Sequence, residues 1–144
     1  MAMDDVKEWA ESSVYLDLPE DGSEAEVIFV GSPRLVTTRG RYGLNERAVF
    51  PVMTPHGVRL FGTSRRTARS MLSAMEKANG LPVRIVRVGE AGSSATRYIP
   101  RRGVEDKELL EKAKAVTDSE IEAAFKQIRG FRGMGTDEDE GDLL

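Results

Sequence analysis

Residues 26–63 read EVIFVGSPRLVTTRGRYGLNERAVFPVMTPHGVRLFGT, and this stretch decides the fold. Its β-branched and aromatic residues predict strands over residues 26–30, 34–38, 46–54 and 58–63. Gly31 and Pro33 interrupt the first two pieces and indicate one long strand with a sharp bend. The short turn at residues 55–57 predicts a hairpin between the last two. The stretch therefore predicts three consecutive strands, the first of them bent.

One helix and two further strands follow this stretch. Ser64 is a suitable N-cap for a helix over residues 65–79, whose apolar residues fall on one face. Residues 83–88 and 95–100 have the composition of strands. Strand, strand, strand, helix, strand, strand is the order of an OB-fold, a five-stranded Greek-key barrel with its helix between strands 3 and 4. Periodicity alone also permits another small α+β sheet, but the bent strand and the helix position favour the barrel.

The rest of the chain predicts additions to this barrel. Residues 14–18 indicate a short strand before it, and Thr117 with Glu120 forms a capping box in a region of helical periodicity. We expect four segments: an N-terminal lead at 1–12, the OB-fold domain at 13–103, a helical hairpin at 104–129 and a flexible acidic tail at 130–144. The predicted fold class is therefore mainly β with helical additions.

The barrel region is basic, although the whole protein is acidic. Residues 31–103 carry fourteen Arg or Lys residues against three acids, whereas the formal charge of the 144-residue chain is −3. The compensating acids lie mainly in residues 1–30 and in the tail. Arginine and lysine bind nucleic acid by neutralising phosphates and releasing counterions, and single-strand binders add aromatic rings that stack on bases. The charge pattern therefore predicts a nucleic-acid-binding protein.

The predicted contacts combine cations and aromatic residues of the barrel. We expect phosphate contacts from Arg39, Arg41, Arg47, Arg59, Arg84, Arg87 and Arg97, and base stacking on Tyr42, Phe61 and Tyr98. Phe61 shares a strand face with Arg59, whereas Phe50 shares one with Ala48 and Val52 and is assigned to the core. The alternative interpretation is that Phe61 and Tyr98 are core residues and that the arginines pair with the N-terminal acids.

Composition argues against several other classes of function. The chain has no cysteine and one histidine, His56, which excludes disulfides and thiolate metal sites. We expect no cofactor, no metal and no enzymatic activity, since the carboxylates that a Mg²⁺-dependent nuclease needs lie mostly outside the barrel. No apolar run is long enough for a membrane span, and acids stand where a signal peptide needs bases. We expect a cytoplasmic protein without membrane contacts, located in the host cell if the protein is viral.

The opening VYLDLPEDGSEAEVIFVG and the final DEDEGDLL resemble segments of phage-type and bacterial single-stranded DNA-binding proteins with OB-folds. The resemblance implies a protein that coats and protects single-stranded DNA in replication, recombination and repair. In that family an acidic tip recruits replication or recombination partners, and here the corresponding residues are Asp137, Glu138, Asp139, Glu140, Asp142, Leu143 and Leu144. The family's tips commonly end in an aromatic residue, whereas this sequence ends in Leu143 and Leu144.

The acidic tail has a second interpretation, in which it competes with nucleic acid for the basic groove of its own barrel. Two other functions also stay open: an RNA-binding OB module and a protein-interaction subunit of a larger assembly. The sequence also leaves a homo-oligomer open.

Overall fold

A computed structural model of the protein describes residues 14–18, 20–40, 43–89 and 96–128. In this part of the chain, strands outnumber helices, so the protein is mainly β as predicted. The strands are β1 (Glu24–Phe29), β2 (Arg34–Gly40), β3 (Gly43–Thr54), β4 (Gly57–Thr63), β5 (Val83–Val88) and β6 (Arg97–Arg102). The helices are α1 (Arg65–Ala78), α2 (Lys107–Ala115) and α3 (Asp118–Lys126).

The first two strands form one bent ribbon along a single edge of β3. β2 pairs with the first half of β3 and β1 with its second half, while β4 takes the opposite edge. Gly31 lies between them with a φ of +69°, a left-handed conformation that glycine adopts without steric cost. The Val30 N–H continues the ladder by donating to the Pro51 carbonyl at 3.0 Å. The predicted bend in the first strand is therefore confirmed.

The strands form an open antiparallel sheet with the order β2-β3-β1-β5-β6, to which β4 is added beside β3. No ladder joins β4 to β6 among the described residues, so the predicted closure of the barrel is not seen. A peptide segment lies on the edge of β4 instead. Tyr15 forms a parallel bridge with Leu60, and the Leu16 N–H donates to the Leu60 carbonyl at 2.9 Å. The strand expected at residues 14–18 is thus reduced to a single bridge.

The sheet is covered on both faces around β3 and β4. On one face Phe50 and Ile85 pack against Met71 of α1. On the other face the strands pack against the two C-terminal helices, through fully buried residues that include Leu109 and Phe125. Successive residues of a strand point to opposite faces, so β3 contributes to both clusters. The predicted helical hairpin is therefore a packed layer of the fold.

The helix ends follow the capping signals of the sequence. The Ser64 hydroxyl accepts from the Thr67 N–H at the start of α1, and the left-handed Asn79 ends that helix. The capping box of Thr117 and Glu120 is present at the start of α3. These side chains satisfy backbone N–H groups that a helix end leaves without a partner. None of the described helices is long and apolar enough to cross a membrane.

Candidate nucleic-acid interface

An open cavity of about 300 Å³ lies where residues 14–18, β3, β4 and β6 meet. We call it the tyrosine cavity, because two tyrosines line it together with an arginine. Its lining residues are Tyr15, Leu16, Leu18, Arg47, Leu60, Phe61, Gly62 and Tyr98. Three residues predicted from the sequence are brought together here: Arg47, Phe61 and Tyr98. The cavity combines a cation with aromatic rings, which is the chemistry that single-strand binders use.

The three rings of the cavity differ in exposure. Phe61 is only 4% exposed and packs edge-on against Tyr98, with ring centroids 5.2 Å apart. The expectation that Phe61 offers an open stacking surface is therefore wrong, because its side chain faces the inner core rather than solvent. Tyr98 is half-buried above it, and Tyr15 is 42% exposed. The accessible aromatic surface thus belongs to the two tyrosines, with Phe61 supporting Tyr98 from below.

Tyr15 is the residue that the sequence prediction missed. It stands in the acidic opening of the chain, outside the basic region on which the prediction relied. Its backbone bridge to Leu60 brings it to the edge of β4. The alternating pattern of residues 14–18 could have indicated this position, since it predicted a strand, and a strand pairs with the edge of another strand.

Arg47 connects the tyrosine cavity to a projecting hairpin. Residues 36–40 and 43–47 pair only with each other among the described strands, and we call this hairpin the β2–β3 arm. Leu44 on the arm is 66% exposed, and Leu35 at its base is 71% exposed. The Arg47 side chain passes over Gly62, where a Cβ atom would lie 4.0 Å from the arginine Cδ. The arm and the cavity therefore form one continuous surface.

The other predicted contacts of the arm are only partly described. Arg39 lies opposite Leu44 in the β2–β3 ladder. Arg41 and Tyr42 lie outside the described residues. Arg97 is exposed on β6, but strand alternation places it on the face opposite Tyr98. Arg59 is half-buried, and its Nη1 donates to the Val58 carbonyl at 2.9 Å.

Two arginines that were predicted to contact phosphates bond to other groups of the protein instead. The Arg84 Nε lies 2.9 Å from Glu26 Oε2 and 3.5 Å from Glu24 Oε1. The hydrogen bond with Glu26, followed by the charge of Glu24, raises the pKa of Arg84. Arg87 is buried, and its Nη1 donates to the Leu18 carbonyl at 2.6 Å. The prediction of a surface role for Arg87 is therefore wrong, and Arg84 pairs with N-terminal acids, as the alternative interpretation expected.

A third arginine joins the sheet to the C-terminal helices. Both Nη atoms of Arg34 donate to the Glu122 carboxylate, at 3.1 and 2.8 Å. The Arg34 guanidinium also lies 4.3 Å from the centre of the Phe125 ring. The hydrogen bond from Arg34 is the main cause of a lowered pKa at Glu122, and burial opposes it. These three arginines reduce the positive charge that the surface offers to a ligand.

No group of acidic or histidine residues among the described positions is arranged to hold a metal ion. His56 is exposed in the turn between β3 and β4. The seven predicted tail residues lie outside the described part of the chain, so their docking role stays a prediction. Comparisons with protein families, with curated proteins and with solved structures found no match for this chain.

Proposed function

We propose that the protein binds single-stranded DNA without sequence preference and coats it, in the service of replication or recombination. The observation that carries this proposal is the joint presence of Tyr15, Tyr98 and Arg47 around one cavity. Aromatic rings stack on any base, while an arginine binds phosphate and can itself stack. A surface of this kind therefore binds strands irrespective of their sequence.

The strand pairings support an OB-fold as the framework of this surface. If β1 and β2 count as one bent strand, the ladders join the first strand to the second and fourth, the second to the third, and the fourth to the fifth. The helix α1 lies between the third and fourth. These relations agree with a partly open OB barrel. In this proposal residues 14–18 cover the gap between β4 and β6.

The two C-terminal helices restrict where a strand of DNA can run. OB-folds bind oligonucleotides on the face of their second and third strands and on the loops beside it. Here those strands correspond to β3 and β4, and Phe125 and Leu109 pack on their outer face. We therefore place the DNA along the β2–β3 arm and over the tyrosine cavity. In this arrangement Tyr15 and Tyr98 stack on bases while Arg47 and Arg39 contact phosphates.

The proposal sets limits on the salt dependence of binding. Each phosphate neutralised on a single strand contributes about −0.7 to the slope of log K against log salt concentration. Arg34, Arg84 and Arg87 bond to other groups of the protein. The number of basic residues in the sequence therefore exceeds the number of cations available to bind phosphates. We expect three to five phosphate contacts per protein and a slope of roughly −2 to −4.

Fluorescence anisotropy with labelled oligo-dT, an oligo-rU and a duplex tests the proposal. Tyr15→Ala is expected to weaken oligo-dT binding about 5-fold to 150-fold, because one stacked base is worth about 1–3 kcal/mol. Arg47→Ala should weaken binding and reduce the magnitude of the salt slope by about 0.7. Arg66→Ala is the matched control, since Arg66 is exposed on α1 and does not line the cavity.

Four outcomes separate the proposal from its alternatives. Tight, salt-sensitive binding to oligo-dT in preference to duplex supports the proposal. If Arg47→Ala and Arg66→Ala weaken oligo-dT binding equally, the location of the site is refuted. Stronger binding to oligo-rU identifies an RNA-binding module instead. Absence of binding to all three probes refutes nucleic-acid binding and favours a protein-interaction subunit.

A further inference from the structure

A second and larger groove, of about 730 Å³, lies between α1 and β6. Its apolar lining, which we call the floor, includes Ala74, Ala78, Pro82 and Pro100. Cations and hydroxyls line it as well, from Lys77, Arg101, Arg102, Ser70 and Ser73. None of its lining residues belongs to the tyrosine cavity. We call it the α1–β6 groove.

The cations of the α1–β6 groove form no ion pair with any residue that the structure describes. Arg34 and Arg84 form ion pairs with carboxylates, whereas Lys77, Arg101 and Arg102 form none with any described residue. Within the described part of the chain, Glu105 is the one acid that lines the groove beside them. Three cations around an apolar floor leave a surface that attracts acidic groups and also gains from burying apolar side chains.

The chemistry of this groove suits an acidic peptide with apolar side chains. A single strand of nucleic acid would need rings on which its bases stack, and none of the described residues that line the α1–β6 groove is aromatic. Leu81 adds to the apolar surface and is 57% exposed. Acidic side chains of a peptide would pair with the rim, and leucines would cover the floor.

A segment of this chain has that chemistry. Residues 136–144 read TDEDEGDLL, with five acids, no base and two adjacent leucines. Leu143 lies 15 positions after Ile128, the last described residue, and an extended chain of that length spans up to about 50 Å. A compact chain of this size has a diameter of roughly 40 Å. The reach of the extended segment is therefore comparable with the size of the fold.

We propose that residues 136–144 dock into the α1–β6 groove of the same chain. The acids at 137–142 pair with Arg101, Arg102 and Lys77, and Leu143 and Leu144 lie on the apolar floor. This inference does not rest on the proposed DNA binding, because it concerns a different groove and a peptide ligand. It assigns the acidic segment an intramolecular site away from the tyrosine cavity.

Disulfide crosslinking in the full-length protein tests this docking. The natural chain has no cysteine, so two introduced cysteines are the only ones present. The test pair joins Ser73→Cys in the groove to Gly141→Cys in the acidic segment. The control pair joins Gly141→Cys to Ser119→Cys, an exposed position on α3 that is closer along the chain to the segment. Docking raises the local concentration of thiols, so we expect the Ser73 pair to crosslink at least about tenfold faster.

Charge reversal supplies a second measurement with a matched control. Arg101→Glu with Arg102→Glu should slow crosslinking of the Ser73 pair about fivefold or more, because it replaces attraction by repulsion. Arg65→Glu with Arg66→Glu makes the same change in net charge at the start of α1, outside the groove. That control should change the rate by less than about twofold, because neither residue lines the groove and salt screens exposed charges that make no direct contact.

The results decide between three occupants. Fast crosslinking within one chain, lost in the Arg101/Arg102 variant, supports the proposal. Equal rates for the Ser73 and Ser119 pairs overturn it, and so does crosslinking found only between two chains. The proposal is also overturned if the Arg101/Arg102 variant loses oligo-dT binding while its crosslinking is unchanged, because the groove then belongs to nucleic acid.

Discussion

Replacing Phe125 by alanine tests whether the C-terminal helices belong to the folded core. The Phe125 ring is fully buried between α3 and the sheet. An aromatic side chain buries about 150 Å² or more, worth roughly 4 kcal/mol at 25 cal/mol per Å². Phenylalanine-to-alanine substitutions in cores cost about 3–5 kcal/mol, which includes the cavity left behind. We therefore expect Phe125→Ala to lower the free energy of unfolding by about 4 kcal/mol.

Urea unfolding followed by circular dichroism measures this loss. With an m-value of about 2 kcal/mol per molar urea, the midpoint should fall by about 2 M. Lys126→Ala is the control, because Lys126 is exposed on the same helix, and it should shift the midpoint by less than about 0.3 M. A loss below about 1 kcal/mol for Phe125→Ala would refute the reasoning, since the helices would then add little to the core. A separate early transition would refute a single cooperative unit.

Three further substitutions or conditions probe the strained, buried and charged contacts. Gly31→Ala should lower the free energy of unfolding by about 1–2 kcal/mol, because an alanine at φ +69° is strained and its Cβ would lie 3.1 Å from Ile121. Arg87→Met should lower it by about 1–3 kcal/mol, because the buried Leu18 carbonyl loses a charged donor. Glu122 has a lowered pKa, so its contribution is present above the usual carboxyl pKa of about 4.3 and is lost as pH falls through the lowered value. Urea midpoints measured between about pH 3 and 6 should reveal this loss, and Glu122→Gln should remove it.

Matched variants distinguish these explanations from general destabilisation. Gly22 also has a positive φ, of +87°, but a Cβ added there would meet no atom within 4 Å. Gly22→Ala should therefore lower the free energy of unfolding by less than Gly31→Ala does. Equal costs would show that the contact with Ile121 contributes nothing. Arg97→Met changes an exposed arginine and should leave stability nearly unchanged. If Glu122→Gln kept the full pH dependence, the Arg34–Glu122 pair would not be its source.

Local sequence signals predicted the elements well. Strand β5 has the predicted bounds, and α3 begins with the capping box that the sequence predicts. These features depend on residues close together in the chain, where propensity and capping act directly. The bend at Gly31 could also be predicted from the sequence, since a glycine within a strand pattern indicates a bulge or bend.

The site was less predictable, because it depends on which faces the rest of the chain covers. Alternation placed Phe61 and Arg59 on one face, but it does not reveal that both faces of β4 are covered. The number of cations in the sequence was a poor guide for the same reason, because it does not show which arginines bond to other groups of the protein. Arg84 and Arg87 each bond to groups from the N-terminal part of the chain. Such long-range pairings carry no local signature.

The contact between Arg87 and Leu18 has a consequence for the order of folding. The two residues are 69 positions apart in the chain, and contacts of such separation form slowly because closing the intervening loop costs entropy. During synthesis, residues 14–18 emerge early, but β4 is complete only when the chain has grown past residue 63, and Arg87 follows later still. The first described segment of the protein is therefore among the last to reach its final place.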